Sequence, residues 1–343
     1  MTDAVDWDLA IATGHRLAPR GPDLPRDETV EVVAMLRDCA SRAVAPVAEV
    51  TGLIAPLDRP AQVIDRRAWV TSNVGALRVA MAPLFERAQG APEIVRALGS
   101  KGTAVQIGAV LAWLSGKVLG QYEVFTPPGR LLLVAPTIVH VERTLDVPPA
   151  DFRLWVCLHE ETHRVQFGAV PWLADHLLGL VTRFVEASDV GLGQTVRNIA
   201  AAVSTLGRSG MRPSLLELVQ TPEQRELFDE LTGIMSLLEG HADVVMDAVG
   251  PEAVPSVALI RERFTARRSS PGAIDAVARR ALGMDVKLRQ YSEGAAFVRT
   301  VVDAVGMHGF NEVWESPRTL PSAREIRDPR AWLSRMATST ISA

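Results

Sequence analysis

The 343-residue chain has only two cysteines, Cys39 and Cys157. Two thiols cannot build the disulfide framework of a small secreted domain, and a reduced, cytoplasmic compartment is the simplest expectation. Lysine is nearly missing: Lys101, Lys117 and Lys287 are the three present, so arginine carries most of the positive charge. The formal net charge is −4, and no basic footprint for nucleic acid results. Long apolar runs are lacking too. The strongest, Ala104 to Gly120, is broken by Gln106, Ser115 and Lys117, and it is too short and too polar to cross a bilayer. The N-terminus, Met1-Thr2-Asp3-Ala4-Val5-Asp6-Trp7-Asp8, is acidic and has neither the basic nor the apolar region of a signal peptide. There is no internal repeat and no low-complexity linker. The length suits one large domain or two smaller ones, with a core that needs no disulfide or metal staple.

What the chain does have is concentrated in one stretch: Leu154-Trp155-Val156-Cys157-Leu158-His159-Glu160-Glu161-Thr162-His163-Arg164-Val165-Gln166-Phe167. It contains His-Glu-x-x-His. Residues four apart share one face of an α-helix, one turn above the other. His159 and His163 can therefore close on one metal ion from one side. Glu160, beside the first ligand, can reach the attacking water without being a ligand itself, which is the arrangement of a zinc hydrolase. Asp151 is a candidate N-cap, with Pro148 and Pro149 stopping the preceding segment. Trp155, Val156 and Leu158 make the site half buried. Cys157, two residues before His159, is read as core packing.

Around this stretch the pattern is mainly helical. Residues 1–27 are an irregular lead-in. Helices are expected over Glu28–Ala45, ended or kinked by Pro46, over Arg67–Ala88, and over Thr103–Leu119 up to Gly120. The pattern changes at 121, which divides the chain into an N-terminal helical region (1–120) and a metal-binding core with C-terminal helices (121–343). Gln121–Phe125 reads as a strand, Thr126–Gly129 as a turn, and Arg130–Ala135 with Thr137–Val141 as a second strand interrupted by Pro136. The result is a small antiparallel hairpin whose second strand lies at an edge or bulges at the proline. An edge strand there could hold an extended peptide by strand addition. Helices follow over Leu173–Ala187 and Val196–Leu206, with a loop at 207–213. Thr221-Pro222-Glu223-Gln224 then starts a helix running to Val249, roughly 40 Å long at 1.5 Å per residue. Further helices fill 252–310, with Arg261, Arg263, Arg267 and Arg268 on a solvated face. Ser322-Ala323-Arg324-Glu325 is a capping box, and Asp328-Pro329 starts a last helix.

A catalytic zinc site needs a third protein ligand and one open position. The familiar extension of the motif with Gly and His is excluded, because Gln166 and Ala169 stand at those positions. The best candidate is Glu239, in Leu238-Glu239-Gly240-His241-Ala242-Asp243. It shares a stripe with Met235, Ala242 and Met246, and a carboxylate among apolar residues is costly unless paired or coordinated. Gly240 would let another helix come close. Asp243, one turn on, could accept the second ring N–H of a ligating histidine. His241 projects about 200° from Glu239 at 100° per residue, so the two do not ligate together; His241 could instead hold a substrate or an oxyanion. His176 and Glu186 remain possible ligands.

His159-Glu160-Glu161-Thr162-His163 with the later Glu239-x-x-x-Asp243 resembles the gluzincin branch of zinc peptidases. Together with Arg289-Gln290-Tyr291 and Trp314-Glu315-Ser316-Pro317, over nearly the whole length, the chain resembles a zincin-like metallopeptidase family of mostly actinobacterial proteins, some labelled with deazaflavin cofactor biosynthesis. The resemblance implies a mainly α (α+β) zincin-like fold with a small sheet beside the His-Glu-x-x-His helix. The expected function is a zinc-dependent hydrolase, foremost a metallopeptidase. Zn2+ would be held by His159, His163 and Glu239, with Glu160 as general base and Tyr291 and His241 as candidate oxyanion stabilisers. The substrate would be a peptide or a small amide. The rival expectation is a non-catalytic zincin-fold binding or scaffold protein.

Overall fold

A computed structural model describes residues 5–56, 59–87, 93–126, 129–187, 222–269 and 284–341. The described elements, in chain order, are α1 (Trp7–Leu17), α2 (Arg26–Thr51), β1 (Gln62–Ile64), α3 (Arg66–Arg87), α4 (Glu93–Ser115), β2 (Gly120–Glu123), β3 (Arg130–Val134), α5 (Ala135–Leu145), α6 (Pro149–Ala169), α7 (Leu173–Glu186), α8 (Pro222–Ala253), α9 (Val257–Ser269), α10 (Met284–Phe310), a 3-10 turn (Asn311–Trp314), α11 (Ala323–Arg327) and α12 (Pro329–Ile341). The fold is mainly α with one small sheet, as the sequence implies. The helix expected at Val196–Leu206, the loop at 207–213 and the Thr221 cap lie outside the described residues.

The sheet has the order β1-β3-β2. β2 and β3 form the expected antiparallel hairpin, with Gln121 opposite Leu132. β1, not foreseen from the sequence, pairs parallel to β3 with Val63 opposite Leu133. Two expectations are therefore corrected. β3 is the central strand and not an edge, in keeping with the unbroken buried run Leu131 to Val134. Thr137–Val141 is not strand but part of α5. Its β-branched residues suggest strand, yet Thr137, Ile138, Val141 and Leu145 form a buried stripe at helical spacing. Pro136 lies in the first turn of α5, where its missing N–H is no loss.

Three other readings change for physical reasons. α2 runs through Pro46 to Thr51. A proline inside a helix costs roughly 3 kcal/mol, but the stripe Leu36, Cys39, Ala43 and Val47 is almost wholly buried on both sides of it. α6 starts at Pro149, so Asp151 is not its cap. The Asp151 carboxylate instead accepts from the Ser256 N–H at 2.8 Å and hydroxyl at 2.6 Å, fastening the start of α9 to the start of α6. The arginines of α9 are not simply a solvated face: Arg261 pairs with Asp247 at 2.7 Å, and Arg263 donates to the Leu145 carbonyl at 2.7 Å. The capping box at Ser322 and Glu325 forms as read.

Three apolar cores hold these elements. α1, α3 and α4 enclose one through Trp7, Trp69 and Ile107. α2, β3, α5 and α6 enclose a second through Leu36, Leu133, Ile138 and Phe152. α7, α8, α10 and the C-terminal helices enclose a third through Leu173, Leu237, Phe297 and Trp332. α8 belongs to two of them, with Leu237 and Leu238 in the third and Val245 and Met246 in the second. α6 packs against both α2 and α8. The two helices that carry the candidate ligands therefore meet where two cores join.

Candidate metal centre

α6 brings His159 and His163 to one face, as their spacing requires. Their rings are edge-on, with centroids 4.6 Å apart, and their Nε2 atoms lie 3.1 Å apart. Glu239 enters from α8. Its carboxylate oxygens stand 3.6 Å from the His159 Nε2 and 3.9 Å from the His163 Nε2. Among the described residues, these three are the cluster whose donor atoms converge closely enough to hold one ion, all within 4.8 Å of one another. Ligands at about 2.0–2.1 Å around a tetrahedral zinc are separated by about 3.3 Å. The three spacings bracket that value. Two imidazoles and a carboxylate also suit zinc chemically. Each of the three side chains is partly exposed, which leaves a face open to a substrate or water.

Glu239 reaches this position because α8 can come close to its neighbours. A Cβ on Gly240 would lie 2.2 Å from the Gly294 carbonyl carbon, and one on Gly294 would lie 1.9 Å from the Ser236 oxygen. Only two glycines allow α8 and α10 to touch backbone to backbone there. The close approach expected at Gly240 is thus made by α10.

Glu160 lies one residue on from His159 and is buried. Burial pushes its carboxyl well above the ordinary carboxylate range, and the nearby Glu239 carboxylate pushes it further. A divalent cation in the trio would favour the ionised form of both.

The chain matches the zincin-like metallopeptidase family over residues 5–333. It belongs to that family. A crystal structure of a proposed hydrolase with a novel fold from Chloroflexus aurantiacus is also similar, at 31% identity and a TM-score of 0.70, covering 97% of this chain and 99% of that chain. No curated protein matches it.

Other predicted residues of this zincin are placed differently. His241 is fully buried, with its ring 5.2 Å from Phe310 and 5.6 Å from Trp314. It meets the trio through Gln166, whose Nε2 is 2.9 Å from the His241 Nδ1. Burial lowers its pKa to about 3, so the ring is neutral. His176 pairs with Glu230 at 3.4 Å, and Glu186 is exposed at the end of α7; neither joins the trio. Asp243 is half-buried on α8, and its backbone carbonyl accepts from Arg261 at 3.0 Å. Tyr291 lies on α10, and its side chain is outside the described residues. Cys157 is fully buried in the core, as expected.

Two residues of the zincin site were not foreseen as such. Gln166 is fully buried, and its Oε1 is 2.9 Å from the His163 Nδ1. Its place three residues after His163, on the same helix face, was a usable signal. Gly120, the first residue of β2, lies flat on Glu160: a Cβ there would come within 2.6 Å of the Glu160 Cδ. Nothing local in the sequence announces that contact, which joins residues forty positions apart. Tyr122, on the same face of β2, stacks on Phe167 of α6 at 6.2 Å. Gln121 and Glu123 turn the other way, toward Asn73 and Ser72 of α3.

Proposed function

We propose that the protein is a zinc-dependent hydrolase, foremost a peptidase, with His159, His163 and Glu239 as the metal ligands and Glu160 as general base. The observation that carries this reading is the convergence of the two Nε2 atoms and the Glu239 carboxylate beside a buried Glu160. Zinc bound there would supply Lewis acidity, activating water and polarising a carbonyl. Glu160 would take the proton of the attacking water and deliver it to the leaving amine. Asp243, one turn beyond Glu239, would accept the second ring N–H of a ligating histidine and fix its tautomer. β2 favours a peptide over a small amide: it is an edge of the described sheet and starts on Glu160. A substrate extended along it would have its backbone beside the base.

The test is Glu160→Gln, which keeps size and removes the base. The variant should keep its zinc and its fold. Its cleavage of a mixed peptide library, read by mass spectrometry, should fall by about 10²–10⁴-fold. Equal cleavage by both proteins would remove Glu160 from the mechanism. Zinc bound in both with no cleavage of any peptide or small amide would favour a binding or scaffold role.

A further inference from the structure

Gln166 makes three polar contacts, all at 2.9 Å. Its Oε1 meets the Nδ1 of His163, and its Nε2 meets both the Leu238 carbonyl and the Nδ1 of His241. The side chain is fully buried, so no solvent competes with these partners. We infer that Gln166 is a positioning residue which locks His163 in its Nδ1–H form and sets α6 in register with α8. The inference rests on the metal-site reading above, since its consequence is that the Nε2 lone pair of His163 faces the Glu239 carboxylate and His159.

The direction of the hydrogen bonds follows from one group that cannot reverse. A backbone carbonyl only accepts. The Leu238 oxygen therefore demands the NH2 end of the Gln166 amide, because a flipped amide would set oxygen against oxygen in a buried site. With the NH2 end fixed on Leu238, the Oε1 end must face His163. That oxygen can only accept, so His163 must donate from Nδ1, and a neutral ring then carries its lone pair on Nε2. The second N–H of the Gln166 amide goes to the His241 Nδ1, which must accept. His241 therefore keeps its proton on Nε2, on a ring stacked against Phe310. One carbonyl sets the tautomers of two histidines.

The same contact joins the ligands. Leu238 precedes Glu239, and Gln166 lies three residues after His163. A shift of α8 against α6 would break the bond to Leu238 and carry Glu239 away from the histidines. A carboxylate at this position would accept from His163 as well, but it could not donate to Leu238 and His241 without a proton. An amide satisfies all three.

The test uses the full-length chain. In the metal-free protein at mildly alkaline pH, long-range 15N–1H NMR should show His163 as the Nδ1–H tautomer and His241 as Nε2–H, with the signals assigned through His163→Asn and His241→Phe. An Nε2–H His163 would overturn the inference, whatever the variants below do. Zinc affinity is then read by competition with a chromogenic chelator, beside Tm. Gln166→Met should weaken zinc by about 10–100-fold, the usual loss when a partner of a ligating histidine is removed. Gln166→Glu keeps the acceptor, so it should recover most of that affinity although its Tm falls. A general packing role would make affinity follow Tm across the variants. Wild-type affinity in Gln166→Met, or equal loss in Gln166→Met and Gln166→Glu, would refute the positioning role. A wild-type chain that binds no zinc would instead refute the metal reading, and the tautomers would still decide the inference.

Discussion

His241 shows how burial sets chemistry at a single residue. Its ring is sealed among Phe310, Trp314 and Gln166, and its pKa is lowered to about 3. In the unfolded chain it titrates near 6.5. Between these values the unfolded state binds a proton that the folded state refuses, so His241 lowers stability as the pH falls through that window. The contribution is about 1.4 kcal/mol per pH unit below roughly 6.5. Glu160 works in the opposite sense: its raised pKa makes the metal-free folded state bind the extra proton, so its effect grows as the pH rises. The difference between wild type and His241→Phe isolates the histidine. In metal-free protein, the denaturation midpoint of wild type should fall more steeply than that of the variant from pH 6.5 to pH 5. Parallel slopes would mean that His241 is charged or solvated in the fold. At this scale the convergence of His159, His163 and Glu239 was legible, because helical spacing and an acid in an apolar stripe are local signals. It was not legible for the burial of His241, which depends on Phe310 and Trp314, far away in the chain.

At the scale of elements, the site depends on how closely α8 can lie against α6 and α10. The crossing at Gly240 and Gly294 is backbone on backbone, so a side chain at either has no flexible neighbour to push aside. Gly294→Ala should force the two helices apart, at a cost of about 1–3 kcal/mol as for other overpacked cores. Urea denaturation should show a lower midpoint with an unchanged slope, and zinc affinity should fall with it because Glu239 rides on α8. An unchanged midpoint would mean that the crossing is looser than these contacts require. Most of the helices and the hairpin are readable from apolar periodicity and turn residues; α1, inside the stretch expected to be irregular, is not. At Thr137–Val141 the β-branched residues signal strand and at Pro46 the proline signals an end or a kink, yet in both places a buried stripe at helical spacing keeps the chain helical. β1 is three residues long, and only its pairing with β3 defines it.

At the scale of the molecule, three cores among the described residues, built from distant parts of the chain, place the two helices that carry the candidate ligands face to face. His163 and Glu239 are 76 positions apart, and residues 188–221 between them are not described. No helix among the described residues is long and apolar enough to cross a membrane. The measurement that bears most directly on the account is the zinc content of the purified full chain and of two variants, by elemental mass spectrometry after removal of loosely bound metal. A three-ligand centre predicts about one zinc per wild-type chain, little or none in Glu239→Ala, and full occupancy in His241→Phe. Full zinc in Glu239→Ala, or loss in His241→Phe with the metal kept in Glu239→Ala, would contradict the ligand set.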